Sequence, residues 1–168
     1  VQGDKVRNLR RKIAMIFQDP MSSLNPALTV GYQLCEGLQY HLGLNKKNSK
    51  EKALHLLEQV GIDSPSRRIL NYPFEISGGM AQRVMIAMAI ACQPEILIAD
   101  EPTTALDVSI QAQILELLRR LQAQTKMSIL FVTHDLALVK DISHRVQVMY
   151  AGHLVETGRT KEILTSPL

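Results

Sequence analysis

A chain of 168 residues, 46% hydrophobic and 21% charged, has one domain's length and the composition of a chain that folds, which excludes intrinsic disorder. The longest unbroken apolar run, Val84 to Cys92, is nine residues, well short of the roughly twenty that a membrane-spanning helix needs, and no secretory leader pattern is present. Nineteen Lys and Arg against sixteen Asp and Glu leave +3, spread in pairs such as Arg10-Arg11 and Arg119-Arg120. A nucleic-acid footprint would be more concentrated, so no nucleic acid is expected as a partner. Cys35 and Cys92 lie far apart and form no metal-ligand spacing, which fits a reducing, cytosolic compartment.

In chain order, a polar opening leads into Lys12 to Gln18 (KIAMIFQ), which reads as a short buried strand. Asp19-Pro20 stops it, and Ser22 to Pro26 is turn chemistry. Thr29 caps a predicted helix to about Leu42, with Val30, Leu34 and Leu38 at helical spacing. A second runs from Ser49 to Val60 and stops at Gly61, and a short third lies near Pro65 to Leu70. Residues 20–75 therefore read as a helical lobe inserted after the first strand. Beyond Pro73, Ser77-Gly78-Gly79 opens an apolar helix to about Cys92, followed by a strand at Glu95 to Ala99. Asp107 starts a helix with one apolar stripe (Ile110, Ile114, Leu117, Leu118, Leu121), and Ser128 to Val132 is a further strand. A short helix from Asp135 precedes two strands, Arg145 to Tyr150 and His153 to Thr157, joined at Ala151-Gly152. Near-continuous apolar strands alternating with helices indicate an α/β fold with a mainly parallel core sheet.

The chemistry concentrates where these strands end. Ile96 to Ala99 delivers two adjacent carboxylates, Asp100 and Glu101, to the carboxyl edge of a sheet, where ligands of open α/β sheets bind. Paired charges at the end of an apolar strand are costly unless offset, and a divalent cation offsets them. Ser77 before two glycines at a helix start exposes backbone N–H groups backed by the helix dipole, an arrangement suited to phosphate. Each feature alone has a plainer reading: strand-end surface charges for Asp100 and Glu101, an ordinary helix cap for Ser77 and for Asp107, a loop residue for His134.

Order and spacing outweigh those plainer readings. Gln18, then Ile76 to Met80, then ILIADEP (96–102), Thr104 to Asp107 and Thr133 to Asp135 together resemble the nucleotide-binding domain of ATP-binding-cassette (ABC) proteins, as its Q-loop, signature, Walker B, D-loop and H-loop in that family's order. The resemblance implies a P-loop NTPase-like α/β fold with residues 12–18 and 93–168 in the ATPase core. It implies ATP and Mg²⁺ as ligands, with Asp100 and Gln18 holding Mg²⁺ partly through water. Glu101 would activate the attacking water, with His134 on the γ-phosphate. Ser77, Gly78, Gly79 and Asp107 would serve the ATP of a partner subunit. Each role suits phosphoryl transfer, which is positioning plus charge stabilisation.

Three departures accompany the resemblance. Ile76 stands where Leu is usual. Ala81 stands where a basic or polar residue is usual, expected to cost only a possible surface or interface contact. None of the nine glycines is followed by Lys, so the phosphate-cradling G-x-x-x-x-G-K-[ST] is not in this stretch. The expectation is therefore a partial nucleotide-binding domain, inactive alone, from a longer ATP hydrolase subunit. Phe17 to Pro26 and Tyr72 to Leu115 look like the dipeptide/oligopeptide import group, with nickel and glutathione importers sharing much of the pattern. Such a subunit works at the cytoplasmic face of the plasma (inner) membrane as a peripheral protein. Its partners would be a second ATPase subunit in a head-to-tail heterodimer, two transmembrane permease subunits and, indirectly, a solute-binding protein. Two other functions compete: a soluble ABC ATPase acting on nucleic acid or ribosomes, and a non-catalytic docking module.

Overall fold

The computed structural model describes residues 2–104 and 106–166, with the side chains of Gln2 and Asp4 set aside. The chain divides into two compact units, Val1–Leu130 and Phe131–Leu168.

The first unit opens with α1 (Gln2–Lys12), β1 (Ile13–Ile16) and a single helical turn, α2 (Pro20–Ser23). Then come α3 (Val30–Leu42), α4 (Lys46–Gln59), α5 (Pro65–Arg68), a 3-10 turn (Pro73–Glu75) and α6 (Gly78–Ile90). It closes with β2 (Ile96–Asp100), α7 (Val108–Thr125) and the start of β3 (Ser128–Val132). β1 and β2 pair in parallel, Ile13 opposite Ile96 through Ile16 opposite Ala99. β3 follows in the order β1-β2-β3, its Ser128 N–H donating to the Glu95 carbonyl at 2.9 Å. The parallel pair puts the ends of β1 and β2 side by side. Gln18 and Glu101, each shortly beyond its strand, are thereby brought to one edge.

The helical core packs α3 and α4 against each other and against α6, and α6 against β1. Leu34, Leu38, Leu57 and Ile86 are fully buried there, each contributing about 1.5–3 kcal/mol of transfer free energy. The helices start on side-chain caps. Thr29 Oγ1 accepts from Tyr32 N–H, Asn45 Oδ1 from Asn48 N–H and Asp107 Oδ1 from Ile110 N–H. Gly31 is required by close approach: its N–H donates to the Ile69 carbonyl at 2.8 Å, and a Cβ there would lie 2.5 Å from Ile69 Cγ1.

Four stretches differ from the sequence expectation. Residues 2–12 are helical although wholly polar in their first turn, and basic Arg10, Arg11 and Lys12 suit the negative end of the helix dipole. Pro20–Ser23 forms a helical turn because Asp19 Oδ1 accepts from Met21 N–H at 2.9 Å and Pro20 has the φ of a first helical residue. α4 begins earlier than Ser49, at Lys46, because Asn45 caps it. Cys92 falls just past the end of α6, after the cap residue Ala91.

In the second unit, α8 (Leu136–Ile142) starts on Asp135, whose Oδ1 accepts from Ala137 N–H at 2.8 Å. β4 (Arg145–Tyr150) and β5 (His153–Arg159) form an antiparallel hairpin with a register shift at Val148/Met149. α9 (Thr160–Thr165) packs on both strands and on α8, and was not visible in the sequence pattern. Thr160 Oγ1 donates to the Ser143 carbonyl at 2.8 Å, joining the start of α9 to the end of α8.

Candidate functional site

β2 ends on Asp100, half-buried, and the next residue turns sharply. Glu101 has φ +44°, a left-handed conformation that non-glycine residues rarely adopt. The turn is closed by Thr104 N–H donating to the Glu101 carbonyl at 3.3 Å. It is pinned from α7, where Gln111 Nε2 donates to the Thr103 carbonyl at 2.9 Å. Two donors converge on one carboxylate oxygen: Gln18 Nε2 reaches Glu101 Oε2 at 2.9 Å and Thr104 Oγ1 reaches it at 2.8 Å. Hydrogen bonds to an ionised acceptor are among the stronger kind. The structure thus brings Gln18 and Glu101 into contact across eighty-three residues of sequence, and adds Thr104, for which the sequence pattern gave no separate role.

Ser77 caps α6, its Oγ accepting from Met80 N–H at 3.4 Å. Ser77 and Gly78 are exposed, and a Cβ on Gly78 would meet nothing within 4 Å. Gly79 differs, since a Cβ there would stand 3.1 Å from Ile110 Cγ2 of α7. The helix start is therefore open at Gly78 while Gly79 is packed against the neighbouring helix. Beside it lies a cavity of about 200 Å³ reaching Asp63, Arg68, Arg83 and Gln113. The Arg83 guanidinium donates to the Val60 carbonyl at 2.6 Å and to Gln113 Oε1 at 2.9 Å. Burial is the main cause that pulls its pKa below the ordinary arginine value.

Ala81 corrects one expectation. It is fully buried, as is Gln82 beside it at 1% exposure, so the departure at this position is a matter of interior packing and not of surface contact. Asp107 caps α7, the plainer of its two readings. His134 is an exposed residue of the second unit, between Thr133, whose Oγ1 accepts from Asp135 N–H at 3.0 Å, and the cap of α8.

The oxygens present suit Mg²⁺. Among the described residues no group of three or more His, Cys, Asp or Glu forms a metal cluster. The Asp100 carboxylate and the Gln18 amide oxygen are hard donors. One or two protein oxygens are what Mg²⁺ takes when phosphates and water complete its octahedron.

The α/β core thus carries a carboxylate pair at a parallel sheet edge, a glutamine beside it and an open Ser-Gly-Gly helix start. The family model for ABC transporters matches residues 1–104, and the chain belongs to that family. It is 58% identical over 156 residues to the dipeptide transport ATP-binding protein DppD of Escherichia coli, covering 93% of this chain and 48% of that protein. Against DppD of Haemophilus influenzae the identity is 61% over 155 residues, 92% of this chain and 47% of the relative. Against the oligopeptide transport ATP-binding protein OppD of Bacillus subtilis it is 56% over 164 residues, 97% and 46%. The chain spans about half the length of these relatives. Among solved structures, the ATP-binding cassette MJ0796, a dimer in a post-hydrolysis state bound to ADP and Pi, superposes with a TM-score of 0.81 at 28% identity, covering 95% of this chain and 68% of that one. CbiO1 of Clostridium perfringens, part of the transporter complex cbiONQ, gives 0.83 at 27% identity, covering 98% and 64%.

Proposed function

We propose that this chain carries the hydrolytic edge and signature helix of an ATPase subunit that powers an ABC importer of di- or oligopeptides. The observation that carries the proposal is the meeting of Gln18 with Glu101 Oε2 at 2.9 Å. It falls in a chain whose relatives at 56%, 58% and 61% identity are oligopeptide and dipeptide transport ATP-binding proteins.

The residues divide the work by position. Glu101 orients the attacking water and takes its proton as the water oxygen bonds to the γ-phosphorus and the bond to the β–γ bridging oxygen breaks. Gln18 joins the strand edge to that carboxylate and to the water. His134 contacts the γ-phosphate oxygens. Asp100 and Gln18 hold Mg²⁺, which when bound neutralises charge developing on the phosphate oxygens. Ser77, Gly78 and Gly79 offer their N–H groups to the γ-phosphate of a second subunit's ATP, with Asp107 at the same contact. The exposure of Gly78 at the first turn of α6, with open space around it, supports that reading.

Residues 20–75 with the start of α6 serve as the helical lobe. Residues 12–18 and 93–168 belong to the ATPase core. The lobe meets two transmembrane permease subunits near Gln18. In support, Phe17, Met21 and Phe74 are exposed, and Tyr72 stacks on Phe74 with ring centroids 5.5 Å apart. The subunit is peripheral at the cytoplasmic face of the membrane, paired with a second ATPase subunit, with the solute-binding protein an indirect partner. Among the described residues no helix is long and apolar enough to cross a membrane.

The test uses the full-length subunit in its transporter. Glu101→Gln keeps Mg-ATP binding and loses about 10²–10⁴-fold in turnover, the worth of a general base. Turnover within twofold of wild type removes Glu101 from that role. The 168 residues alone, without G-x-x-x-x-G-K-[ST], do not hydrolyse ATP; turnover by this stretch that Glu101→Gln abolishes overturns the partial-domain reading.

A further inference from the structure

We infer that Thr104 is a positioning residue for Glu101: its hydroxyl, 2.8 Å from Oε2, fixes the carboxylate in the orientation from which it acts on water. The inference rests on the reading of Glu101 as the base and assigns a task to a residue outside that reading.

Three observations carry it. First, the hydroxyl is surplus to the turn. The turn is already closed by Thr104 N–H to the Glu101 carbonyl at 3.3 Å and Leu106 N–H to the Thr103 carbonyl at 3.2 Å, and is pinned by Gln111 from α7. Second, the side chain of Thr104 is exposed, so it contributes little packing and nothing in the core selects it. Third, its bond goes to the oxygen that Gln18 also holds at 2.9 Å. Two donors on one oxygen restrict the rotation of a carboxylate more than a single donor does. Glu101 has a left-handed φ, +44°, in the same turn, three residues before Thr104.

The two donors have different fates when nucleotide arrives. Gln18 follows β1 and its reading requires it to reach the metal and water, which takes its amide from Oε2. Thr104 sits three residues from Glu101 in the same turn and has no such second task. It is therefore the donor that stays and keeps the carboxylate aimed while Gln18 moves. Misorientation of a reacting group by as little as 1 Å costs about 10²-fold. Loss of one restraint while others remain should cost less.

The experiment compares Thr104→Val and Thr104→Ser in the full-length subunit in its native assembly. Valine keeps the shape and deletes the donor, and serine keeps the donor. Thr104→Val should lower kcat about 10-fold with KM for Mg-ATP within twofold and melting unchanged, given the restraint argument above. Thr104→Ser should return kcat to within about twofold of wild type. In a Glu101→Gln background, Thr104→Val should change residual turnover no further. Wild-type kcat in Thr104→Val, an equal loss in Thr104→Ser, a further loss in the Glu101→Gln background, or unfolding of Thr104→Val each overturns the inference. The parent reading fails separately, by Glu101→Gln turning over at the wild-type rate. If Glu101→Gln is inactive and Thr104→Val is normal, only the role of Thr104 falls.

Discussion

The turn that carries Glu101 and the helix start that carries Ser77 are built in opposite ways. At the turn, polar groups are spent on one another: Gln18 and Thr104 both donate to Glu101 Oε2, and Gln111 reaches in from α7 to the Thr103 carbonyl. At the helix start the packing lies behind, with Ile110 against Gly79, and the front at Gly78 is open. A group that must act on a water gains from being held by its own chain. A group that must grip something from outside gains from being held only at its back. On the proposed roles, the difference is one between internal preorganisation and a surface that takes a ligand from outside.

Three perturbations sharpen or break this contrast. The largest effect is expected from Ser77→Arg, which fills the open front with a long cation. In the full-length assembly it should cut turnover by about 10²-fold, comparable to losing a donor to developing charge, while ATP binding at this subunit's own cradle persists. Equal loss of nucleotide binding would mean that the helix start serves its own chain and not a partner.

A smaller effect separates the two glycines. Gly78→Ala meets open space and should leave the melting transition unchanged or raise stability by up to about 1 kcal/mol, as helical Gly→Ala does. Gly79→Ala must displace Ile110 and should fall about 1 kcal/mol behind it, the low end of overpacking costs. Ile110→Val in the Gly79→Ala background should narrow the gap. Identical melting of the two alanine variants would mean that the back of the helix start is no tighter than its front.

The smallest effect concerns the segment after Gln18. The Met21 N–H, with help from Ser22, holds the Asp19 carboxyl below its ordinary value. A depressed carboxyl contributes stability that is fully present above the unfolded value of 3.8 and is lost as pH falls through the lower folded one. Protection of the Met21 amide from hydrogen exchange, relative to its unprotected rate, should therefore survive at pH 4 and vanish below the folded value. Loss of that protection already at pH 5 would separate the cap from the carboxylate.

How much of this was legible in the sequence depended on where the signal lay. The start of α7 is legible because Asp107 precedes a clean apolar stripe, and both ends of α3 because Thr29 caps a stripe that runs to Leu42. α4 was started late because its first turn, Lys46-Lys47-Asn48, shows no apolar period and only Asn45 announces it. α1 escaped for the same reason in stronger form, since helical periodicity needs apolar residues to be seen. At the site, Gln18 and Glu101 stand out in the sequence through their place in a series of motifs, and the parallel pairing of β1 and β2 gives a physical reason for their meeting. The bond from Thr104 had no such signal. It depends on a left-handed residue that is neither Gly, Asn nor Asp, and no propensity points to a glutamate in that conformation. The burial of Ala81 was likewise hidden, because a helix apolar nearly all round has no legible outer face.

Arg83 gives the helix start a mechanical property. Its guanidinium joins the carbonyl at the end of α4 to a side chain of α7, while Arg120 of α7 reaches back to the Gln59 carbonyl at 2.9 Å. α6 cannot roll about its own axis without stripping a half-buried cation of both acceptors, which costs more than stripping a neutral donor. Sliding α4, α6 and α7 together breaks none of these bonds. The roll of α6, and with it the direction in which Ser77 faces, is thereby tied to α4 and α7.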